Sequence, residues 1–502
     1  MDDTSRATTL RLVAVAIAGV AAVAGSFAVA GSTPSFVGAP VASFVVDRSP
    51  GALTTVAITR LGDLAQVLAA GTGLLLTVVL FAAVGLGAEA AGRRSHVPHT
   101  AGVLGTVAAW VVATALTGAF VGSLAAAVPV GVVLVVAERR WGVGDRVWVD
   151  RSPARRRVLK ALGGVGAFSV AGYFAGRGRT AAPTVDEPVS IATVAGEPAA
   201  AAVDEMLTRA SDLSLDVPEI DPLVTDVERF YRVDINVNDP NVSVDAWRLR
   251  VTGDVGSSVT LTYDDLLAMD LEHRFETLRC VGDPLNGEKM DTAVWTGVPV
   301  QRVIERADVP DECCVMLRAA DDYYEEFPLS ALRDGFLAVG MNGQVLPRAH
   351  GYPVRALVPG HWGEINVKWL TEIEVLDAPA TGYWEKRGWH GTGPVETVAK
   401  LHAVDRLDDG RIRVGGHAYA GTRRIQRVEV SVDGGETWTD ATLSEPLPDP
   451  DTWRMWEHTY EPEGAHEVVV RAYDGTGTRQ SSERAGSFPS GATGWVSRRI
   501  EP

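Results

Sequence analysis

The residue of this chain best placed for chemistry is a cysteine, Cys280, at the end of a short strand. The run Phe275–Cys280 has a strand pattern, and Gly282-Asp283-Pro284 then breaks it. A cysteine thiolate can attack a substrate as a nucleophile or bind a metal ion. A lone cysteine can equally be an inert part of a core. Nothing local marks a partner histidine or further ligands at zinc spacing, so the role of Cys280 stays open at this point.

A second candidate region, Val339–Leu370, combines glycines with positively charged side chains. The glycines permit close backbone approach, and His350, Arg355 and Lys368 can donate hydrogen bonds to an anion such as a phosphate. The alternative is a loop-rich β domain that carries these charges on its surface.

Taken together, residues Phe230–Leu376 resemble the molybdopterin-binding domain of the sulfite oxidase family. The motifs that carry the resemblance are Leu-Arg-Cys280-Val-Gly, Trp295-Thr-Gly-Val-Pro, Asp321-Asp-Tyr, Met341-Asn-Gly, Leu-Pro-Arg-Ala-His350-Gly-Tyr-Pro-Val-Arg355, Val358-Pro-Gly and Asn366-Val-Lys368-Trp-Leu. The following all-β part is similar to the dimerisation domain of the same family, through the runs Arg427–Trp438 and Trp453–Trp456. The resemblance covers slightly more than half of the chain and leaves out its N-terminal part.

The resemblance implies a role for each matching residue. Cys280 would bind molybdenum through its thiolate, a soft donor that can tune the potential of the metal. Arg232 and Trp389 would complete the catalytic site, with Trp389 at the position of a tyrosine of the family. The residues that would bind the molybdopterin, from its phosphate to its ring system, are Tyr231, Asp234, Asp321, His350, Arg355, Asn366, Val367 and Lys368.

The sequence departs from the family pattern where the substrate binds. Sulfite oxidases carry an arginine soon after the ligand cysteine, whereas Asp283, Pro284 and Leu285 stand here. A carboxylate at position 283 would repel an anion such as sulfite. The resemblance therefore implies a small substrate other than sulfite, such as the sulfur compounds of the methionine sulfoxide reductase branch. It leaves either molybdenum or tungsten as the metal.

The pattern of strands and helices along the sequence predicts a chain of several domains, which together must position these residues. Residues 227–380 mix strands with short helices such as Thr262–Met269, capped by Thr262, which predicts an α+β molybdopterin domain. Residues 381–502 show strands at regular spacing, which predicts an all-β immunoglobulin-like sandwich without a disulfide. Residues 177–226 are rich in Ala, Pro and Thr and are interpreted as a linker that carries one helix.

Residues 1–176 predict an all-α transmembrane bundle of about five helices. One bilayer span takes about 20 residues, so the apolar run Ala101–Ala137 is too long for one span and predicts two, with a hairpin at Thr117–Ser123. Two loops are rich in arginine, Glu89–Thr100 and Glu138–Lys160. The count of five helices places both loops in the cytoplasm and the catalytic part on the extracellular side of the cell membrane. The apolar runs are Leu12–Ala30, Leu64–Ala88, Ala101–Ala137 and Ala161–Ala175.

The start of the last apolar run has two readings. The run Arg155-Arg-Arg-Val-Leu-Lys160 resembles a twin-arginine export signal, which serves proteins that fold before export. The alternative is an ordinary positively charged flank of a membrane helix.

Charge separates the chain into two different parts. The first 180 residues hold 16 Lys+Arg and 8 Asp+Glu, which leaves 30 Lys+Arg and 55 Asp+Glu for the remainder. Such an acidic remainder would repel phosphate backbones and excludes nucleic-acid binding as a function. Acidic residues dispersed among tryptophans predict a folded domain suited to concentrated salt, as in a halophile.

The three cysteines exclude a disulfide scaffold and a four-cysteine zinc site. Cys313 and Cys314 are expected to be a packed pair, because adjacent cysteines form a disulfide only with strained geometry.

The leading hypothesis is a membrane-anchored molybdoenzyme that moves an oxygen atom to or from a small substrate outside the membrane. Its partners would be that substrate, membrane lipid, a separate redox protein that exchanges electrons, and a second copy of the chain bound through the C-terminal domain. The alternative hypothesis is a non-catalytic acidic cell-surface module on a membrane anchor, which would need neither a metal nor Cys280.

Overall fold

The computed structural model describes residues 3–31, 33–49, 63–95, 97–141, 167–176, 188–236, 239–310 and 313–501, together with positions 53, 56, 57 and 61. Contacts divide the chain into two units, and each is described by itself. The first unit holds the described residues of Met1–Ser49, Leu61–Thr184 and Asp234–Asn241. The second unit holds those of Pro50–Arg60, Val185–Val233 and Val242–Pro502.

Helices dominate the first unit. They are α1 (Asp3–Ala30), α2 (Gly38–Arg48), α3 (Asp63–Ser95), α4 (Thr100–Thr117), α5 (Leu124–Trp141) and α6 (Ala167–Gly176). The long apolar run breaks between α4 and α5, as its length predicts. Gly118 ends α4 with a φ of 67°, a conformation that glycine adopts without steric cost.

Three segments of these helices are long and apolar enough to cross a membrane: Arg11–Ala30, Val67–Ser95 and Thr100–Thr117. Helix α5 ends in the charged run Glu138-Arg139-Arg140, and α6 is a shorter apolar helix. The bundle of five spans therefore stays a prediction. The export signal expected at Arg155–Lys160 lies outside the described residues.

Small residues allow close helix packing in this unit. A Cβ atom on Gly19 of α1 would lie 2.3 Å from the carbonyl oxygen of Val78, and one on Gly25 would lie 2.2 Å from that of Ala125. The backbones of α1, α3 and α5 thus approach each other at distances that larger side chains would prevent.

Two sheets surround Cys280 in the second unit. Their strands are β1 (Leu249–Gly253), β2 (Val259–Leu261), β3 (Glu272–Arg279), β4 (Met290–Pro299), β5 (Cys314–Ala319), β6 (Tyr324–Pro328), β7 (Phe336–Met341), β8 (Gln344–Val345), β9 (Arg355–Leu357) and β10 (Leu370–Leu376). The first sheet has the order β2-β1-β10-β5-β6, with β1 and β10 parallel and the other neighbours antiparallel. The second has the antiparallel order β3-β4-β7-β8, with β9 also paired to β7.

Short helices complete this part of the fold. They are α7 (Ala192–Ala195), α8 (Glu197–Leu213), α9 (Tyr263–Leu267), α10 (Val300–Ile304) and α11 (Leu329–Arg333). Thr262 caps α9 as expected, since its hydroxyl accepts from the Asp265 amide while the Asp265 carboxylate accepts from the Thr262 amide. The mixture of sheets and short helices agrees with the predicted α+β organisation.

The C-terminal part consists of two antiparallel sheets. Their strands are β11 (Val398–Ala399), β12 (Ala403–Arg406), β13 (Ile412–Tyr419), β14 (Ile425–Ser431), β15 (Thr439–Asp440), β16 (Thr442–Leu443), β17 (Arg454–Tyr460), β18 (His466–Asp474) and β19 (Val496–Ile500). One sheet has the order β11-β13-β17-β16 with β12 on β13, and the other has the order β15-β14-β18-β19. Inward residues of both share one core, including Val414, Val430, Trp456 and Val470.

Residues 188–226 differ from the linker predicted for 177–226, because they are folded onto the second unit. The Ile191 amide donates to the Gly343 carbonyl at 2.9 Å, and Val203 of α8 is fully buried. The indole of Trp453 donates to the Leu223 carbonyl at 2.8 Å. The segment thus contacts both the β8 region and the C-terminal sheets.

Cys313 and Cys314 form a disulfide, so the expectation of a packed, unbonded pair is wrong. Cys313 is exposed and precedes β5. Its backbone is free of the strand pairing that would hold the two sulfur atoms apart.

Candidate active site

Cys280 follows β3 directly, at the edge of the second sheet. Its amide donates to the Lys289 carbonyl at 3.0 Å, and its carbonyl accepts from the Asp283 amide at 3.1 Å. The thiol is free and only 9% exposed. Burial raises the pKa of Cys280 to about 11, so the thiol alone stays protonated at neutral pH. A metal cation would supply the charge that stabilises the thiolate.

Three charged side chains are buried behind the Cys280 turn. Lys400 pairs through Nζ with Asp283 Oδ2 and also donates to the Gly287 carbonyl at 2.7 Å. Arg279 Nε lies 3.9 Å from the same carboxylate oxygen. All three side chains are at most 1% exposed. The two cations offset the charge of Asp283 and weaken the repulsion that this carboxylate would exert on an anion.

Arg355 and Asn366 organise the region expected to bind a phosphate. Arg355, the first residue of β9, donates from Nη1 to the His350 carbonyl at 3.2 Å and from Nη2 to the Asn366 carbonyl at 3.1 Å. Asn366 Oδ1 accepts from the Val358 amide at 2.6 Å. The sequence predicts that His350, Arg355 and Asn366 bind the same cofactor, and in the structure Arg355 is hydrogen-bonded to both of the others.

Val367 and Lys368 lie on the other side of the same cluster. The Val367 carbonyl accepts from the Ala356 amide at 2.8 Å, and Lys368 Nζ donates to the Ala349 carbonyl at 3.2 Å. Gly351 has a φ of 115°, and a Cβ atom there would lie 3.1 Å from the Lys368 Cα atom. Only glycine lets the two backbone segments approach this closely.

The electrostatics of this cluster favour an anion. Burial, followed by the charges of Arg355, Lys368 and Arg232, lowers the pKa of His350 to about 3. His350 is therefore a neutral imidazole, and its Nε2 atom lies 3.2 Å from the Val227 carbonyl. Three cations around a neutral histidine form a positive cluster that suits a phosphate group.

Tyr231 lies between this cluster and the Cys280 turn. Its amide donates to Asp291 Oδ2 at 2.8 Å. A Cβ atom on Gly363 would lie 2.8 Å from the Tyr231 hydroxyl, so the phenol ring reaches the turn Gly363–Ile365. Burial, followed by the charge of Cys280, raises the pKa of Tyr231. The phenol and the thiol therefore belong to one site.

Asp321 and Asp234 have different placements. Asp321 lies in the turn between β5 and β6, where it accepts from the Tyr323 amide at 3.2 Å. The adjacent Ala320 amide donates to the Trp369 carbonyl at 2.9 Å, which places this turn beside Lys368. Asp234 groups with the first unit, so its role in the site stays a prediction.

Trp389 is buried at 1% exposure, and its indole N–H has no hydrogen-bond partner. Its ring meets that of Phe488 edge-on, with the centroids 5.2 Å apart. Two residues further on, a Cβ atom on Gly391 would lie 2.9 Å from Val281 Cγ2. The Trp389 segment therefore passes directly beside the Cys280 turn.

Sequence reasoning missed several charged residues of this region. They are Arg279, Lys400, Asp291 and the glutamates Glu325, Glu364 and Glu385. The three glutamates lie close to residues that were noticed for other reasons. Glu325 follows the Asp321 motif, Glu364 lies between the Val358 and Asn366 motifs, and Glu385 precedes Trp389. Their sequence separation hides the fact that they meet, which is visible only in the folded chain.

Comparison with known proteins identifies the second unit. Residues 236–384 match the profile of the oxidoreductase molybdopterin binding domain, and residues 394–486 match that of the Mo-co oxidoreductase dimerisation domain. These matches support a sulfite oxidase family molybdopterin oxidoreductase with a Mo-co dimerisation domain. The cofactor of such a domain is Mo-molybdopterin, and the matches support a molybdopterin-dependent oxidoreductase.

Relatives of the sulfite oxidase family cover the same part of the chain. Rat mitochondrial sulfite oxidase is 29% identical over 290 residues, which are 47% of this chain and 53% of that protein. Chicken sulfite oxidase is 30% identical and is covered to 63% of its length. NADH nitrate reductase of spinach is 27% identical and is covered to 33%. The chain thus spans 53% and 63% of the length of these two sulfite oxidases and 33% of that of the nitrate reductase.

One solved structure matches part of the chain. The sulfane dehydrogenase SoxCD from Paracoccus pantotrophus aligns with a TM-score of 0.49 and 21% identity, covering 56% of this chain and 82% of that chain.

The residues of this sulfite oxidase family domain fit the cofactor of the family. A buried thiol with no disulfide partner matches a soft metal, and the positive cluster at His350 matches the phosphate of a pterin. The unpartnered indole N–H of Trp389 is a further donor available to a bound molecule.

Proposed function

We propose that this chain is a membrane-anchored molybdoenzyme that transfers an oxygen atom to or from a small substrate. The observation that supports this proposal is the buried Cys280 thiol in the same unit as a cluster of Arg232, His350, Arg355 and Lys368. The thiol suits a soft metal and the positive cluster suits a phosphate, and a metal-pterin cofactor contains both groups.

The chain's own residues hold and orient the cofactor in this proposal. Cys280 binds the metal, and its ionisation is favoured once the metal is bound. His350, Arg355 and Lys368 bind the phosphate. Bound molybdenum supplies two-electron oxygen-atom transfer. The remaining proposed contacts to the pterin come from Tyr231, Asp234, Asp321, Asn366 and Val367.

The proposed substrate is a small sulfur compound other than sulfite, for example a sulfoxide. Pro284 and Leu285 follow Cys280 and offer no charge to an anionic substrate. A neutral S=O oxygen can accept a hydrogen bond from the free indole N–H of Trp389, and Arg232 provides a second donor. These two residues are the proposed catalytic side chains beside Cys280.

The assembly and location complete the proposal. The three long apolar helices are compatible with a membrane anchor, and we place the catalytic unit on the extracellular side of the cell membrane. The Mo-co dimerisation domain supports a homodimer. Electrons pass to or from a separate redox protein that docks on the unit or on its anchor.

Metal analysis of the full chain tests this function. Chain purified from cells that make the cofactor should contain about one equivalent each of metal and pterin. The Cys280→Ser variant should lose turnover and change the visible spectrum of the metal while its far-UV circular dichroism stays unchanged. A control with both Cys313 and Cys314 changed to serine should keep turnover.

Two results would contradict the proposal. A metal content below about a tenth of an equivalent would favour the non-catalytic surface module, which needs no metal. An active Cys280→Ser variant would refute the assignment of Cys280 as the metal ligand.

A further inference from the structure

Three glutamates from distant parts of the second unit meet in one cluster. Glu325 belongs to β6, while Glu364 and Glu385 lie in the short turns Gly363–Ile365 and Glu385–Arg387. One carboxylate oxygen of each lies within 4.8 Å of those of the other two. Like charges at such separations repel each other strongly away from water, so the cluster needs a compensating group.

The cluster has a carboxylate whose hydrogen-bonding capacity is unused. Glu364 is 7% exposed, and neither of its carboxylate oxygens has a hydrogen-bond partner. The oxygens of Glu385 are buried as well, and its carboxyl group is close enough to that of Glu325 to share a proton with it. Protons shared between the carboxyl groups would give Glu364 a hydrogen bond to a neighbour, and it has none. A buried polar group without a partner points to a ligand from outside the chain.

Polar contacts fix the Glu325 side chain so that its carboxyl group faces Glu364 and Glu385. Its carboxyl group lies 3.2 Å from the Tyr323 hydroxyl oxygen and accepts from the Trp384 amide at 3.3 Å. The Tyr323 hydroxyl also lies 2.8 Å from the Glu364 carbonyl and donates to it. One tyrosine therefore ties β6 to the turn that carries Glu364.

Two glycines shape the walls of the cluster. A Cβ atom on Gly391 would lie 1.9 Å from Glu364 Oε2, and one on Gly382 would lie 1.3 Å from Glu325 Oε1. The carboxylates thus lie directly against the backbone, where no other residue type would fit. Burial is the main cause that raises the pKa of Glu364, and the charge of Glu385 adds to it. The charge of a cation bound between the carboxylates would oppose both effects.

We propose that Glu325, Glu364 and Glu385 form a binding site for one Ca²⁺ ion. Carboxylate oxygens are the ligands that Ca²⁺ prefers, at about 2.3–2.6 Å, so one ion can bridge oxygens up to about 5 Å apart. Mg²⁺ binds at about 2.0–2.1 Å and keeps several waters, for which these buried side chains leave little room. The observed oxygen separations and burial therefore favour calcium.

The ion would stabilise the surroundings of Cys280. Gly391 contacts both Glu364 and Val281, the residue that follows Cys280. Glu385 lies four residues before Trp389 in the sequence. Calcium would thus fix β6, the Gly363–Ile365 turn and the Trp389 segment relative to each other. This role goes beyond the proposed oxygen-atom transfer and does not depend on it.

Calorimetric titration of the full chain with CaCl₂ tests the site. Detergent-solubilised protein, stripped with a chelator and held in excess NaCl, should bind about one equivalent with a dissociation constant of about 10⁻⁶ to 10⁻⁴ M. Glu364→Gln, and separately Glu385→Gln at the more exposed edge, should each weaken binding at least about tenfold. Glu445→Gln removes the same charge from an exposed position of the second unit and should leave binding unchanged.

Three outcomes would overturn the calcium site. They are the absence of binding to the wild-type chain, equal affinity for MgCl₂, and undiminished binding by a Glu385→Gln variant whose circular dichroism is native. Molybdenum content is measured on the same samples. Chain that holds molybdenum but binds no calcium refutes this inference alone, whereas chain that binds calcium without molybdenum refutes only the proposed function.

Discussion

At the scale of the residue, Trp389 combines nearly complete burial with an unpaired donor. Leaving a buried donor without an acceptor costs about 1–3 kcal/mol. A donor role toward a bound molecule would explain why this cost is tolerated beside the Cys280 turn.

Replacing Trp389 by phenylalanine should lower kcat by about tenfold to a hundredfold, because a positioned donor is lost. Stability should change by no more than about 1 kcal/mol, since the cavity cost and the removal of the unpaired N–H oppose each other. Steady-state kinetics and thermal unfolding measure the two effects. Trp438→Phe, whose indole N–H donates to the Gly435 carbonyl at 3.1 Å, is the matched control. An unchanged kcat in the Trp389 variant would rule out the donor role.

Buried carboxyl groups on and near β3 and β4 set a pH dependence of stability. Burial raises the pKa of Glu276 to about 8, that of Asp291 to about 7 and that of Asp451 to about 6. The unfolded chain has carboxyl pKa values near 4, so between about pH 4 and 8 these three carboxyl groups bind more protons in the folded chain than in the unfolded one. The stabilisation is therefore full at mildly acidic pH and is lost as pH rises through these values.

Thermal unfolding should show a Tm that falls between about pH 7 and pH 8, where the histidines of the unfolded chain are already neutral. Glu276→Gln should make this fall shallower, because the glutamine does not ionise. Glu272→Gln, at a position of β3 with a half-exposed side chain, should leave the slope unchanged. A Tm that rises with pH over this range would contradict the assignment.

At the scale of the element, the turn after β3 is held by a residue from the start of the C-terminal sheets. Lys400 follows β11 and bonds to both Asp283 and Gly287 across the Cys280 turn. Asn286 strengthens the same link, since its side chain accepts from the Leu401 amide at 2.7 Å. The C-terminal part of the chain thus positions the proposed metal ligand without touching the metal.

Lys400→Met should destabilise the chain by about 3–5 kcal/mol, because it leaves the buried Asp283 charge with only Arg279, 3.9 Å away, for compensation. Denaturant unfolding measures this loss, and metal content should fall with it. The double variant Lys400→Met/Asp283→Asn should recover part of the stability. Lys386→Met, at an exposed position, is the control. Additive effects in the double variant would show that the pair is not coupled.

At the scale of the whole molecule, the orientation of the anchor is the property to test. A tag inserted after residue 145 should be cytoplasmic, because the arginine-rich segments are expected inside, while a C-terminal tag should be external. Protease accessibility in intact cells measures both positions. A tag at residue 145 that is cut from outside would contradict the five-helix count.

Local elements followed from local signals. The Thr262 cap, the break between α4 and α5 and the strand that leads to Cys280 depend on neighbouring residues, and all three were predicted from sequence. The packing of residues 188–226 was missed, because an Ala- and Pro-rich composition resembles a linker until its partners are known.

The sequence by itself determined the chemistry of the principal donors: one thiol at a strand end, and a motif of glycines and cations suited to a phosphate. Residue types and order carry that information, and family motifs preserve it. Only the tertiary structure decided which charges face each other. It paired Asp283 with Lys400, far along the chain, and brought Glu325, Glu364 and Glu385 into one cluster. Electrostatic interactions depend on distance and burial, and neither quantity can be read from separation along the chain.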